Sequence, residues 1–227
     1  MRLRPCLLSD LRYGAQRALG KAFITLFFPF SVAVSPAYAE VTEIVALGDS
    51  LTAGYGLAEG EGFVPQLQAW LEAQGVAAKV VNAGVSGDTS AGGLSRLDWS
   101  LTPESDALIV TLGGNDLLRG LDPAMTRANL DQILTKAKAR GLKVLLVGLP
   151  GPANFGPEWK AEFDAIFPDL AAKHGVTLAP NFLAGLGGPD PVALQALMQP
   201  DQIHPNAEGV GKIVAVLGPQ VQTLLSE

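Results

Sequence analysis

Few side chains in this chain of 227 residues could carry acyl-transfer chemistry, and they lie far apart in sequence. Ser50 sits in IVALGDSLTAGYGL, residues 44–57, where a short apolar run ends in Gly-Asp-Ser. A serine in that position is commonly a helix cap or a turn residue. The segment after it holds Gly54, Gly56, Gly60 and Gly62 and no apolar stripe, so it offers little helix to cap. A sharp turn would leave the hydroxyl exposed above a sheet edge, the mechanical idea of a nucleophile elbow, although the G-x-S-x-G pattern is absent. Such a nucleophile needs a base. His174, in AAKHGV beside Gly175, suits the end of a helix, where an imidazole complements the dipole. His204, in DQIHPNAEG, follows Asp201 by three residues and precedes Pro205, which biases it toward an extended conformation. A turn there could set the carboxylate on one imidazole nitrogen and turn the other to the rim; the competing reading is a loop-capping Asp201 beside a solvated histidine. Donors for a developing oxyanion are available in the N–H of Ser50, the N–H of Gly84 and the side-chain amide of Asn115. Taken singly, Gly84 reads as a turn glycine and Asn115 as an Asx-turn residue.

The elements that must position these groups are legible as apolar runs. Residues 43–47, 78–83, 106–112 and 143–149 are short and rich in β-branched residues, with 176–180 a weaker fifth. Between them, 63–74, 89–99, 157–173 and 205–225 have helical period. The clearest helix follows Asp122, with Pro123 at its first position, Leu130, Ile133, Leu134 and Ala137 on one face, and Gly141 to end it. Strands apolar throughout and separated by helices predict an α/β domain with a parallel sheet covered on both faces. Chemistry in such sheets gathers at the carboxyl ends of the strands. The first three strands end in GDS (48–50), NAGVSGDTS (82–90) and GGND (113–116), so the candidate groups converge on one rim. Asp49 is expected to organise its turn and Asp88 to cap the helix near Thr89.

Residues 1–39 read as an export signal: Arg2, Arg4, Arg12, Arg17 and Lys21, then AFITLFFPFSVAV, then Ala37-Tyr38-Ala39, with cleavage before Glu40. The thirteen apolar residues fall short of the about 20 that span a bilayer. The expectation is one domain over 40–227, exported to the periplasm or medium. The leader takes five of the sixteen Lys+Arg and one of the twenty-two Asp+Glu, which leaves eleven against twenty-one, a net charge of −10. That balance offers no footprint for nucleic acid or an anionic membrane surface. Cys6, the only cysteine, leaves with the signal, so the mature chain has no disulfide, thiolate nucleophile or cysteine ligand. With two histidines, a His-rich metal site is not expected either.

The blocks GDSLTAGYGL, NAGVSGDTSAGGLSRL, TLGGNDLLRG and DQIHPNAEG, in this order, resemble the four signature blocks of the GDSL (SGNH) hydrolases, in particular the exported arylesterase, thioesterase I and lysophospholipase L1 branch. The resemblance runs from Val41 to about Gly211. It implies a flavodoxin-like three-layer α/β/α fold with a five-stranded parallel sheet, and a serine esterase working without metal or cofactor. Ser50 would be the nucleophile, His204 the base, Asp201 its partner, and Gly84 and Asn115 would complete the oxyanion hole with Ser50. It also suggests that 116–121 forms a mobile edge of the acyl groove, which makes Asp116, Leu117, Leu118 and Leu121 candidate substrate contacts; Phe155, an apolar residue in the Gly/Pro-rich rim loop 149–157, is a further one. The expected partner is a small acyl ester or thioester. Because CoA is not expected outside the cytoplasm, esters or lysophospholipids are the better natural substrates. A carbohydrate O-deacetylase of the same fold is the enzymatic alternative, although no row of aromatics marks a glycan platform. A flavodoxin-like binding module is the non-enzymatic one, although GDSLTAGYG lacks both the P-loop lysine and the dinucleotide spacing.

Overall fold

A computed structural model describes residues 41–187 and 191–226. The expected export signal, 1–39, lies outside the described residues. Chain order is β1 (Thr42–Gly48), α1 (Ser50–Ala53), α2 (Phe63–Ala73), β2 (Ala78–Gly84), α3 (Ser90–Ser100), β3 (Ser105–Thr111), α4 (Gly114–Leu118), α5 (Pro123–Ala139), β4 (Lys143–Val147), α6 (Pro157–Asp164), α7 (Ile166–His174), β5 (Thr177–Ala179), α8 (Pro191–Ala196) and α9 (Ala207–Ser226). The five strands pair in parallel in the order β2-β1-β3-β4-β5, the flavodoxin-like arrangement.

Strand periodicity explains the layers. Successive side chains of β1 point to opposite faces. Ile44 and Ala46 pack beneath α2 and α9 with Phe63, Leu67, Leu71, Ile213 and Leu217. Val45 and Leu47 pack on the other face with Leu97, Leu130, Ile133, Leu134 and Phe167 from α3, α5 and α7. The central strands β1, β3 and β4 are buried almost throughout, which is why they read as unbroken apolar runs. The α5 signals hold: the Asp122 carboxylate accepts the N–H of Ala124, Pro123 starts the helix, and Gly141 follows its end at φ +76°.

Three local expectations need correction. A helical turn does form after Ser50, because the Asp49 carboxylate caps it and Ala53 N–H closes on Asp49 O at 2.9 Å. Thr89, not Asp88, caps α3, its hydroxyl accepting from Gly92 N–H, while the Asp88 carboxylate pairs with Arg96 at 2.6 Å. The helical stretch 157–173 is two helices, α6 and α7, divided at Ala165.

The connections leaving β1 and β3 run to opposite sides of the sheet. A cleft therefore opens at the carboxyl ends of these neighbouring strands, where such folds bind their ligands. Ser50 follows one of those ends and Asn115 the other.

Candidate functional site

Ser50 is the first residue of α1, so its N–H has no partner within the helix; it makes no other hydrogen bond among the described residues. Its hydroxyl meets the Nε2 of His204 at 2.8 Å, across 154 residues of sequence. His204 Nδ1 lies 2.7 Å from Asp201 Oδ2. The other carboxylate oxygen accepts the N–H of Ile203 and of His204, each at 3.0 Å, so one aspartate both shapes the turn and faces the ring. Those bonds, the His204 N–H first, the imidazole next, then the Ile203 N–H, hold the Asp201 carboxyl down to about 2. An ionised acceptor fixes the proton on Nδ1 and leaves the Nε2 lone pair toward the serine. The phenol ring of Tyr55 packs on the outer side of the imidazole, with centroids 4.8 Å apart.

Asn115 stands on α4, just past a sharp turn at Gly113 with φ +108°. Its amide nitrogen donates to Asp88 O at 3.0 Å and reaches Asp49 Oδ2 at 3.4 Å. Asp49 is almost wholly buried, and loss of water pushes its carboxyl up to about 6, against the opposing pull of the Leu51 N–H. A raised carboxyl stabilises the fold most below its unfolded value near 4 and loses that contribution as pH rises through 6. The stability of Asp49→Asn relative to the natural protein is therefore expected to increase by about 2 kcal/mol between pH 4 and pH 7.5 in urea unfolding; a gap that does not change with pH would contradict it.

Gly84 does not do what the sequence suggested. It is the last ladder residue of β2, in register with Gly48, and its N–H is taken by the side chain of Asn82 at 2.9 Å. A β-carbon there would come within 2.7 Å of Ala53 Cα, so the missing side chain lets β2 lie against the turn carrying Ser50. A second candidate donor, which sequence reasoning missed, lies three residues on. Gly87, at φ +85°, makes no N–H hydrogen bond among the described residues, and it precedes the Asp88 carbonyl that Asn115 grips. Both glycines sit in one block; choosing between them required knowing that the strand runs through Gly84. Arg96 was also not singled out. Its guanidinium donates to Gly48 O at 2.8 Å and Ala83 O at 2.7 Å and pairs with Asp88, clamping the ends of β1 and β2.

Beside the serine lies a cavity of about 160 Å³ lined by Leu51, Leu117, Leu118, Leu149, Leu183 and Ile203, with Ser50, Asn115 and His204 at its polar end. Leu117 and Leu118 are thus placed as expected. Asp116 is not: it is 2% exposed, and its carboxylate accepts from Ser90 N–H, Ser90 Oγ and Thr126 Oγ1, tying α3, α4 and α5 together. Leu121 and Phe155 also stay out of the lining. The Leu121 carbonyl accepts from Trp159 Nε1 at 3.2 Å, and Phe155 packs on Trp159. His174 bonds Asp131 on α5 at 2.6 Å, beyond the dipole role expected for it. A larger hollow of about 550 Å³ there is lined by Arg127, Asp131, Glu162, Asp169 and Lys173 and contains no nucleophile–base pair. Among the described residues no three His, Cys, Asp or Glu are grouped as a metal site, and no helix is long and apolar enough to cross a membrane.

The profile of the GDSL-like Lipase/Acylhydrolase family matches residues 46–211. Esterase TesA of Pseudomonas aeruginosa is 42% identical over 183 residues, 80% of this chain and 89% of that protein. Thioesterase 1/protease 1/lysophospholipase L1 of Escherichia coli is 36% identical over 201 residues, covering 88% and 92%. The crystal structure of the psychrotrophic esterase EstA from a Pseudoalteromonas species, inhibited by monoethylphosphonate, superposes with a TM-score of 0.74 at 31% identity, over 82% of this chain and all of that one.

Proposed function

The chain belongs to the GDSL-like Lipase/Acylhydrolase family, and from that premise we propose that Ser50, His204 and Asp201 run a two-step hydrolysis of carboxylic acyl esters. The protein is a serine esterase. The observation that carries the residue assignment is the continuous line Ser50 Oγ, His204 Nε2, His204 Nδ1, Asp201 Oδ2, with contacts of 2.8 and 2.7 Å.

His204 Nε2 takes the Ser50 proton as Oγ bonds to the acyl carbon, and the carbonyl π pair moves to oxygen. Donors for that oxyanion are the N–H of Ser50, the Asn115 amide and the N–H of Gly87. Collapse breaks the bond to the leaving oxygen, which departs with the proton from His204. Water then gives its proton to His204 and attacks the acyl-serine; collapse returns that proton to Ser50 Oγ and releases the acid. Asp201, ionised throughout, stabilises the imidazolium between transfers.

Substrate range follows from the cavity. About 160 Å³ of largely aliphatic space is small against the roughly 300–1,000 Å³ of sites for drug-sized ligands, which favours short-to-medium acyl chains over long ones. The relatives carry esterase, thioesterase and lysophospholipase in their names; for this chain the expected export favours esters and lysophospholipids over thioesters, and the small cavity puts short-chain esters first. A series of p-nitrophenyl esters from acetate to palmitate is expected to give the highest kcat/KM between butyrate and octanoate. Rates climbing steadily to palmitate would refute this account of the cavity. The same preparation, expressed with its leader, should be recovered from the periplasm or medium beginning at Glu40.

A further inference from the structure

The triad joins two segments that meet nowhere else in sequence, and something must fix the turn bearing His204 over the turn bearing Ser50. The Asp201 bonds shape the histidine turn from within but do not attach it to α1. Gln199 makes that attachment. Its side-chain Nε2 donates to Tyr55 O at 2.8 Å and to Pro205 O at 3.0 Å, and its backbone N–H donates to His204 O at 2.7 Å. Tyr55 N–H in turn donates to Ser50 O at 3.1 Å. The backbones of nucleophile and base are thus joined by a chain of hydrogen bonds whose one side-chain member is Gln199. Its carbonyl also accepts from Gln202, whose φ of +59° closes the turn leading to the histidine.

We propose that Gln199 is a positioning residue for His204: its carboxamide holds the histidine turn on the Tyr55 carbonyl and so sets the distance from Nε2 to the Ser50 hydroxyl. This rests on the reading of Ser50 and His204 as nucleophile and base. The geometry explains why an amide is needed there. Two carbonyl oxygens, from Tyr55 and Pro205, converge on one nitrogen, and an NH₂ group supplies a hydrogen to each. A carboxylate would repel both oxygens, and an aliphatic side chain of the same length would leave them unpaired. The neighbouring glycine also fits, because a β-carbon on Gly56 would run into Gln199 Oε1.

The test compares Gln199→Met with Gln66→Met. Gln66 likewise donates from one amide nitrogen to two carbonyls, Glu61 O at 2.6 Å and Ala207 O at 3.0 Å, but touches neither catalytic turn. Both variants should lose similar thermal stability. Displacement of a catalytic group by about 1 Å can cost on the order of 100-fold, so Gln199→Met should lower kcat by about 10- to 100-fold with KM within about twofold. It should also broaden the downfield proton resonance of the His204 Nδ1–H, while Gln66→Met keeps both kcat and the resonance. Gly56→Ala, which sets a β-carbon against Gln199 Oε1 and also holds an alanine at φ +75°, should lower kcat at least as far and add little in the double variant. An unchanged kcat in folded Gln199→Met, or equal losses in the Gln199 and Gln66 variants, would overturn the proposal; if Gln199→Met does not fold, normal kcat in Gly56→Ala does the same. Ser50→Ala in parallel separates the two claims: full activity there removes the catalytic reading itself, whereas its inactivity beside an active Gln199→Met removes only the role of Gln199.

Discussion

Ser50→Ala is expected to lower kcat on p-nitrophenyl butyrate by about 10⁶-fold, and adding His204→Ala to it should lower the rate hardly further. The lack of additivity follows from the shared proton: without the hydroxyl there is nothing for Nε2 to accept, and without Nε2 the hydroxyl is a poor nucleophile at neutral pH. A phosphonate ester should add one phosphonyl group to Ser50 in the natural protein, because an activated Oγ displaces its leaving group, and none in either single variant, read by intact mass. Residual hydrolysis equal in Ser50→Ala and the natural protein would remove Ser50 from the mechanism. Labelling of another serine would relocate the nucleophile.

The second large effect belongs to Asn115. One hydrogen of its amide is taken by the Asp88 carbonyl at 3.0 Å, which orients the group before any substrate arrives, while the second has only a long 3.4 Å contact with Asp49 Oδ2 and is the one open to an oxyanion. Removing one donor of this kind costs about 10²- to 10³-fold in kcat, or roughly 3–4 kcal/mol of barrier. Asn115→Ala is therefore expected to lose that much kcat with KM little changed. Asn115→Asp should lose more, because a second carboxylate would face Asp49. Asn82→Ala distinguishes the two glycines of the second block. It frees the Gly84 N–H, so a kcat rise would return Gly84 to the oxyanion site, while the expected result is no change beyond about twofold. Steady-state kinetics on one ester series reads all three.

The chemistry of the site was legible in sequence wherever it depends on residue type at a strand end. Ser50 and Asn115 were placed by the rule that ligands gather where parallel strands finish, and the strands themselves by their apolar runs. The three-residue spacing of Asp201 and His204 allowed their pairing without deciding it against a loop-capping aspartate, and it was the resemblance of the block DQIHPNAEG that favoured it. What sequence could not resolve was the choice between chemically identical backbone groups. Gly84 and Gly87 differ only in whether the ladder has ended, and that is decided by pairing with Gly48, 36 residues earlier in the chain. Asp116 was misplaced for a related reason. On a helix of five residues, Leu117 and Leu118 face the cavity while Asp116, just before them, turns inward to Ser90 and Thr126. Arg96 escaped notice because the targets that join the strands, Gly48 O and Ala83 O, are main-chain carbonyls, which leave no trace in a residue pattern.

The hydrogen bond between Ser50 and His204 spans 154 residues, and this has a consequence for the timing of biosynthesis. Domains form as the chain emerges at about 5–20 residues per second, so Ser50 is made about 8–30 s before its base exists. Until the segment from Gln199 to Pro205 has been synthesised and docked, the hydroxyl has no proton acceptor, and every shorter intermediate is chemically inert toward acyl esters. A polypeptide still on the ribosome is harmless to the lipids and metabolites around it. Activity appears only with the finished fold.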